Sequence, residues 1–268
     1  MSMTEKSSDR PLVLCFGGHD PSGGAGILAD AEAVQAAGAF PLTVITALTE
    51  QNTCGLVHLH PQPPAQIAAH CRCLLRDSQP QAVKIGLIGS AESAHTLAQV
   101  LDADALAGVP VVLDTVLATG AGQAVADAAL RAAICERLLP RCTLVTPNLP
   151  EARALTGAQA AEDCAERLLA AGAPWVLITG THDATAAVTN RLFGAQGERE
   201  AWDWPRLPGD YHGSGCTLAS AIAAWLAYEL PLIEAVAAAQ SYTWATLEQA
   251  VRTGRCQLTP NRLSTPIR

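Results

Sequence analysis

Short, unbroken apolar runs alternate with longer segments of helical composition along most of this chain. Leu12–Phe16, Leu42–Leu48, Ala82–Ile85, Val109–Leu113, Leu144–Val145 and Trp175–Ile178 are apolar with little polar alternation. A strand has that pattern when its sheet is covered on both faces. Between them, Ala25–Ala37, Pro64–Leu75, Ala91–Leu106, Ala124–Leu139 and Ala160–Ala171 have helical composition, and Gly38 is placed to stop the first. Ala186–Phe193 and Glu198–Trp204 flank Gly194–Gly197 and predict an antiparallel hairpin. Two C-terminal helices follow, about 214–228 and 231–251, broken at Pro231.

This alternation predicts an α/β fold with a central, mostly parallel sheet. No linker or repeat divides it, so residues 11–268 form a single domain after a polar, disordered lead over 1–10. In such sheets ligands bind beyond the carboxyl ends of the strands. The Gly, Asp and Asn punctuation lies there.

Composition narrows the picture. The chain has 268 residues, 49% of them hydrophobic, so it can bury a large core. Its net charge of -8, with basic residues scattered, excludes a nucleic-acid partner but leaves room for a local anion pocket. No run reaches the length of a membrane span. The nine cysteines form no CxxC pair and no zinc spacing, and the leading residues lack an apolar signal core. They predict a reduced cytoplasmic protein with mostly buried thiols.

The chemistry concentrates in His212-Gly213-Ser214-Gly215-Cys216-Thr217, which runs straight into an apolar helix. Two glycines allow close backbone approach, and the helix start aims N–H groups and the positive dipole end at one spot. A phosphate fits there. The same field lowers the pKa of a first-turn thiol, making Cys216 a candidate base or nucleophile. An ordinary loop-to-helix junction with a buried Cys is the plain alternative. The first loop, Gly17–Gly26, is glycine-rich but lacks the Gly-Lys-[Ser/Thr] of a Walker A motif. Gly120-Ala-Gly122 is similarly short of a dinucleotide fingerprint.

Six blocks together resemble the hydroxymethylpyrimidine/phosphomethylpyrimidine kinases of thiamine biosynthesis. They are Asp20–Ile27 with Ala29-Asp30, Ile45–Thr53, Val83–Gly86, Leu113–Val116, Thr146–Ala152 and His212–Thr217, in the family's order. The resemblance implies a ribokinase-like three-layer α/β/α sandwich. It implies transfer of the ATP γ-phosphoryl to the hydroxymethyl oxygen of an aminopyrimidine, and in the full activity a second transfer onto the monophosphate. Cys216 stands where most ribokinase-like enzymes place an Asp base, a feature of the pyrimidine kinases. Gly213, Ser214 and Gly215 are then the anion hole. Gln51 and Asp30 are expected at the substrate, with Ala25 giving a backbone contact and Leu87 and Val116 covering the ring. Asn148 is expected near ATP phosphates, and Glu151 and Asp114 near Mg²⁺. A homodimer is the implied assembly.

Three departures matter. Thr119–Gln123 and Thr179–His182 lack lysines that many relatives carry, and His19 stands where Ser or Thr is usual. The missing charges bear most on the second phosphorylation, whose acceptor is already anionic. Three alternatives stay open here: a pyridoxal-type vitamin kinase, a silent pyrimidine-binding protein, and a cysteine hydrolase with His212 as base.

Overall fold

The computed structural model describes residues 10–120, 122–181 and 185–263. The lead expected over 1–10 therefore lies outside the described residues except for Arg10, as do Ala121 and His182 of the two lysine-free runs. Nine strands form one sheet: β1 Leu12–His19, β2 Phe40–Asn52, β3 Gly55–Pro61, β4 Ala82–Ile85, β5 Val111–Leu113, β6 Leu144–Val145, β7 Val176–Ile178, β8 Ala187–Gly194 and β9 Gly197–Pro205. Their order is β3-β2-β1-β4-β5-β6-β7-β8-β9. The pairings from β2 through β7 are parallel, and β3, β8 and β9 extend the two edges antiparallel.

The helices are α1 Gly26–Ala36, α2 Pro64–Leu75, α3 Ala91–Leu101, α4 Ala128–Ala133, α5 Leu149–Thr156, α6 Ala161–Ala170, α7 Ser214–Ala227 and α8 Leu232–Glu248. Alternate strand residues sort to opposite sides, as the pleat requires. Leu14, Phe16, Val83 and Ile85 pack with α2 to α6, whereas Val13, Cys15, Ala82 and Val112 pack with α1, α7 and α8. The result is the three-layer sandwich that the family resemblance implied, around the mostly parallel sheet expected from the alternation.

Three elements differ from expectation, one of them helix α5, for which the sequence pattern gave no segment. The helix expected over Ala124–Leu139 is regular only over α4. It continues as a π turn over Ile134–Leu138 and a 3₁₀ turn over Leu139–Arg141, because Pro140 cannot continue an α ladder. Strand β3 was not expected at all. It lies at the sheet edge, where the pattern gives no doubly buried run.

The cysteine expectation needs a correction. Cys54, in the β2–β3 turn, is disulfide-bonded to Cys256, 202 residues later. Spacing alone carries no trace of so distant a pair. Cys15, Cys71, Cys142 and Cys164 are buried free thiols, as composition suggested. A cross-link closing so long a loop restricts the unfolded chain, and breaking one commonly costs about 2–5 kcal/mol. A thiol reductant is therefore expected to lower the thermal midpoint. The Cys54→Ser/Cys256→Ser variant should start at that lower midpoint and not respond; equal midpoints with and without reductant would count against the bond.

Candidate active site

The carboxyl ends of β1, β2, β4, β5 and β6 and the start of α7 open onto one cavity of about 910 Å³. Gly213 begins α7 in the left-handed region, at φ +83°, and no side chain caps the first turn. A Cβ at Gly213 would stand 2.1 Å from the Gly24 carbonyl oxygen and 2.9 Å from the Ala25 Cα. Glycine is required there because two loops touch backbone to backbone. Ser214, Gly215 and Cys216 also line the cavity.

Two side chains hold these loops together. His212 is buried and its Nε2 lies 2.7 Å from Asp20 Oδ2. Asp20 also accepts from the Ser22 N–H at 2.8 Å and the Ala25 N–H at 2.9 Å, which shapes the first loop. Burial would raise the Asp20 pKa, but the His212 and Ser22 hydrogen bonds outweigh it and hold the carboxyl well below its usual range. Arg262, sealed in the interior, donates to Thr217 Oγ1 at 2.8 Å, to the Gly24 carbonyl and to Glu32 at 3.0 Å. His212 is thus a loop tie facing Asp20, not a base set against Cys216, which removes the hydrolase alternative's premise. Sequence reasoning gave Asp20 and Arg262 no role.

Cys216 is half-buried on the cavity floor. Its thiol does not behave as expected from the helix start alone. Burial pushes it up to about 12, with Asp114 and Asp30 adding to the rise and the Lys84 charge opposing it. Removal from water costs a thiolate more than the helix end returns. Asp114, one residue past β5, is also buried; burial raises its pKa while Lys84, 3.7 Å away, pulls it down. The neighbouring Cys216 thiol also pulls the Asp114 pKa down.

Gln51 lines the cavity from β2. The β2–β3 register slips between Glu50 and Gln51, and such a bulge re-aims the side chain that follows it. Ala25, Leu87 and Val116 line the same cavity. The Ala25 N–H is taken by Asp20, so any backbone contact from Ala25 must use its carbonyl. Asp30 is a correction. It is fully buried, does not line the cavity, and accepts from Lys84 at 2.6 Å and from Ser220 at 2.8 Å. Its place on the inner face of α1 turns it away from any substrate.

Asn148 and Glu151 start α5 as a capping box. The Asn148 side chain accepts from the Glu151 N–H at 2.9 Å, and Glu151 accepts from the Asn148 N–H at 3.0 Å. Glu151 also accepts from the Leu117 N–H at 3.3 Å. It is 9% exposed, and burial, then the Asp114 charge, push its pKa up to about 8. Its folded-state value therefore lies above the ordinary 4.5, so the native state binds this proton more tightly than the unfolded chain. The resulting stability is full below the unfolded value and is lost as pH rises through about 8. Glu151→Gln keeps the reciprocal cap and cannot ionise. Without divalent cation, its melting midpoint minus that of the parent should grow from pH 5 to pH 8; a constant difference would contradict the shift.

Among the described residues, no cluster of three or more His, Cys, Asp or Glu side chains could hold a metal by itself. The residues present still fit Mg²⁺. Asp114 Oδ2 is buried without a hydrogen-bond partner, and the Asp114 charge raises the proton affinity of Glu151. A hard cation that keeps several waters needs only one or two carboxylates plus substrate phosphates.

Known proteins point the same way. The family model described as phosphomethylpyrimidine kinase matches residues 20–261. The chain belongs to this family. It is 36% identical over 253 residues to a hydroxymethylpyrimidine/phosphomethylpyrimidine kinase of Rhizobium meliloti, covering 90% of this chain and 92% of that protein. It is 39% identical to the bifunctional thiamine biosynthesis protein ThiED of Geobacter sulfurreducens, covering 92% of this chain but 51% of that longer protein. Among solved structures, phosphomethylpyrimidine kinase from Clostridium difficile aligns with a TM-score of 0.76 at 29% identity, covering 89% of this chain and all of that one. Pyridoxal kinase from Staphylococcus aureus in complex with ADP aligns with a TM-score of 0.85 at 25% identity, covering 95% and 94%. The fold is that of the ribokinase-like vitamin kinases, and family membership makes this chain an ATP-using kinase of a small molecule.

Proposed function

We propose that this kinase phosphorylates the hydroxymethyl group of 4-amino-5-hydroxymethyl-2-methylpyrimidine, and then its monophosphate, in thiamine biosynthesis. One observation carries the reading: Gln51 and the Gly213–Cys216 loop line a single cavity. A carboxamide offers both a donor and an acceptor, matching the edge of an aminopyrimidine. Leu87 and Val116 supply apolar cover for the ring faces. With the ring there, the hydroxymethyl oxygen is presented to the amide cradle where the transferring phosphoryl group gathers charge.

The acceptor hydroxyl must lose a proton as its oxygen bonds to phosphorus. Cys216 is the group assigned to take it. Because the resting thiol is protonated, it must release its own proton before it can take that of the hydroxyl. Glu151 and Asp114 are the residues assigned to hold Mg²⁺ through oxygen, with Asn148 beside the phosphates. When bound, that ion supplies charge neutralisation for the phosphates. Arg131 and Arg206 also line the cavity and offer cationic groups that the lysine-free runs do not. A cytoplasmic homodimer completes the proposal.

The likeness to pyridoxal kinase supports pyridoxal as a second acceptor for test. ATP turnover measured separately with the pyrimidine alcohol, its monophosphate and pyridoxal should be fastest with the alcohol and detectable with the monophosphate. Turnover with pyridoxal alone would overturn the substrate assignment. Gln51→Ala should raise KM for the pyrimidine about tenfold, the worth of one to two hydrogen bonds, with kcat little changed. An unchanged KM would remove Gln51 from the substrate site.

A further inference from the structure

The sequence holds only two lysines among its 17 Lys and Arg residues, Lys6 and Lys84. Lys84 sits in β4, a strand otherwise apolar, and is completely buried. Its Nζ lies 2.6 Å from Asp30 Oδ1 and 3.7 Å from Asp114 Oδ2. Gly86 leaves it room, since a Cβ there would stand 2.6 Å from Nζ. Arginine occupies nearly every other basic position, but its broad planar fork has no place in so small a space.

We propose that Lys84 is a positioning residue for phosphoryl transfer: its ammonium holds the Asp114 carboxylate on the cavity floor and puts a fixed positive charge beneath the anion loop. The two carboxylates around it are not equivalent. Asp30 is sealed on α1 and tied to Ser220, so it anchors the ammonium. Asp114 lines the cavity, and its Oδ1 lies 3.7 Å from where a Gly215 Cβ would be, directly under the anion-hole segment. A lysine needed only to satisfy Asp30 would not also face a second carboxylate from another strand. Charge balance gives the same answer. Two carboxylates and one ammonium leave the cluster net negative before any phosphate arrives, and removing the ammonium would set two bare carboxylates behind an incoming anion. Carbonyls and apolar groups, unlike this ammonium, cannot offset that repulsion.

This inference rests on the kinase reading above. Lys84→Met alone strands the Asp30 charge in the core and risks misfolding, so the deciding variant is Lys84→Met/Asp30→Asn, which removes one charge of each sign. It is expected to fold, to bind the pyrimidine alcohol by calorimetry within about threefold of the parent, and to lose on the order of 10²-fold in kcat. Asp30→Asn alone, with Lys84 still facing Asp114, should lose less than about fivefold in kcat on the same scale. A double variant with parental kcat, or one that loses pyrimidine binding as well, overturns the proposal. So does Asp30→Asn if it is as slow as the double variant, because the acting pair would then be Lys84 and Asp30. Cys216→Ala assayed alongside separates the two levels: parental kcat there would refute the kinase mechanism itself, and a slow Cys216→Ala with a fast double variant refutes only the role of Lys84.

Discussion

Cys216→Ala is expected to lower kcat by about 10²–10⁴-fold, the span usual for loss of a positioned proton-transfer group. KM for the pyrimidine should stay within a few-fold, because the contacts proposed for the ring come from Gln51, Leu87 and Val116 instead. The site explains the split. Cys216 lines the cavity beside Asp114 and is not among the residues proposed to cover the ring. Steady-state kinetics with the pyrimidine alcohol decides it. A kcat within threefold of the parent would show that the sulfur takes no part in proton transfer.

Gly213→Ala should be nearly as damaging, by a different route. The added methyl has no direction in which to relax: a φ of +83° disfavours any side chain, and the Gly24 carbonyl and Ala25 backbone block the Cβ position. To admit it, the start of α7 must move off the first loop, carrying the Ser214, Gly215 and Cys216 amides with it. Loss of one oxyanion donor typically costs 10²–10³ in kcat, so a loss of about 10³-fold is expected with the fold retained. Circular dichroism and kcat on the same sample test it; parental kcat in a folded variant would mean that the loops do not need their contact.

The sheet was legible in the sequence because strands buried on both faces, such as Val13–Phe16 and Ala82–Ile85, admit almost nothing polar. Gly213 at the start of α7 was legible because backbone contact with Gly24 and Ala25 demands a glycine there. Other features escaped for physical reasons. Helix α5 was hidden since its first turn, Leu149-Pro150-Glu151, reads as a break, although Pro is well suited to a first helical turn. Asp30 follows a loop motif in the chain, yet one turn of helix was enough to rotate it to the far side of α1. The raised Cys216 pKa depends on depth of burial, which a helix-start pattern does not encode. The role of Lys84 depends on Asp30 and Asp114, 54 and 30 residues away along the chain, which no local pattern relates to it. The Cys54–Cys256 bond joins positions that no local pattern relates.

Arg262 has a consequence for the order in which this protein comes into being. Its guanidinium bridges the Gly24 carbonyl and Thr217, spanning 238 residues of chain to do so. A nascent polypeptide still lacking residues near 262 therefore has the His212–Asp20 tie between its glycine loops but not the Arg262 bridge. The two glycine loops gain their full set of fastenings only once residues near 262 have been made.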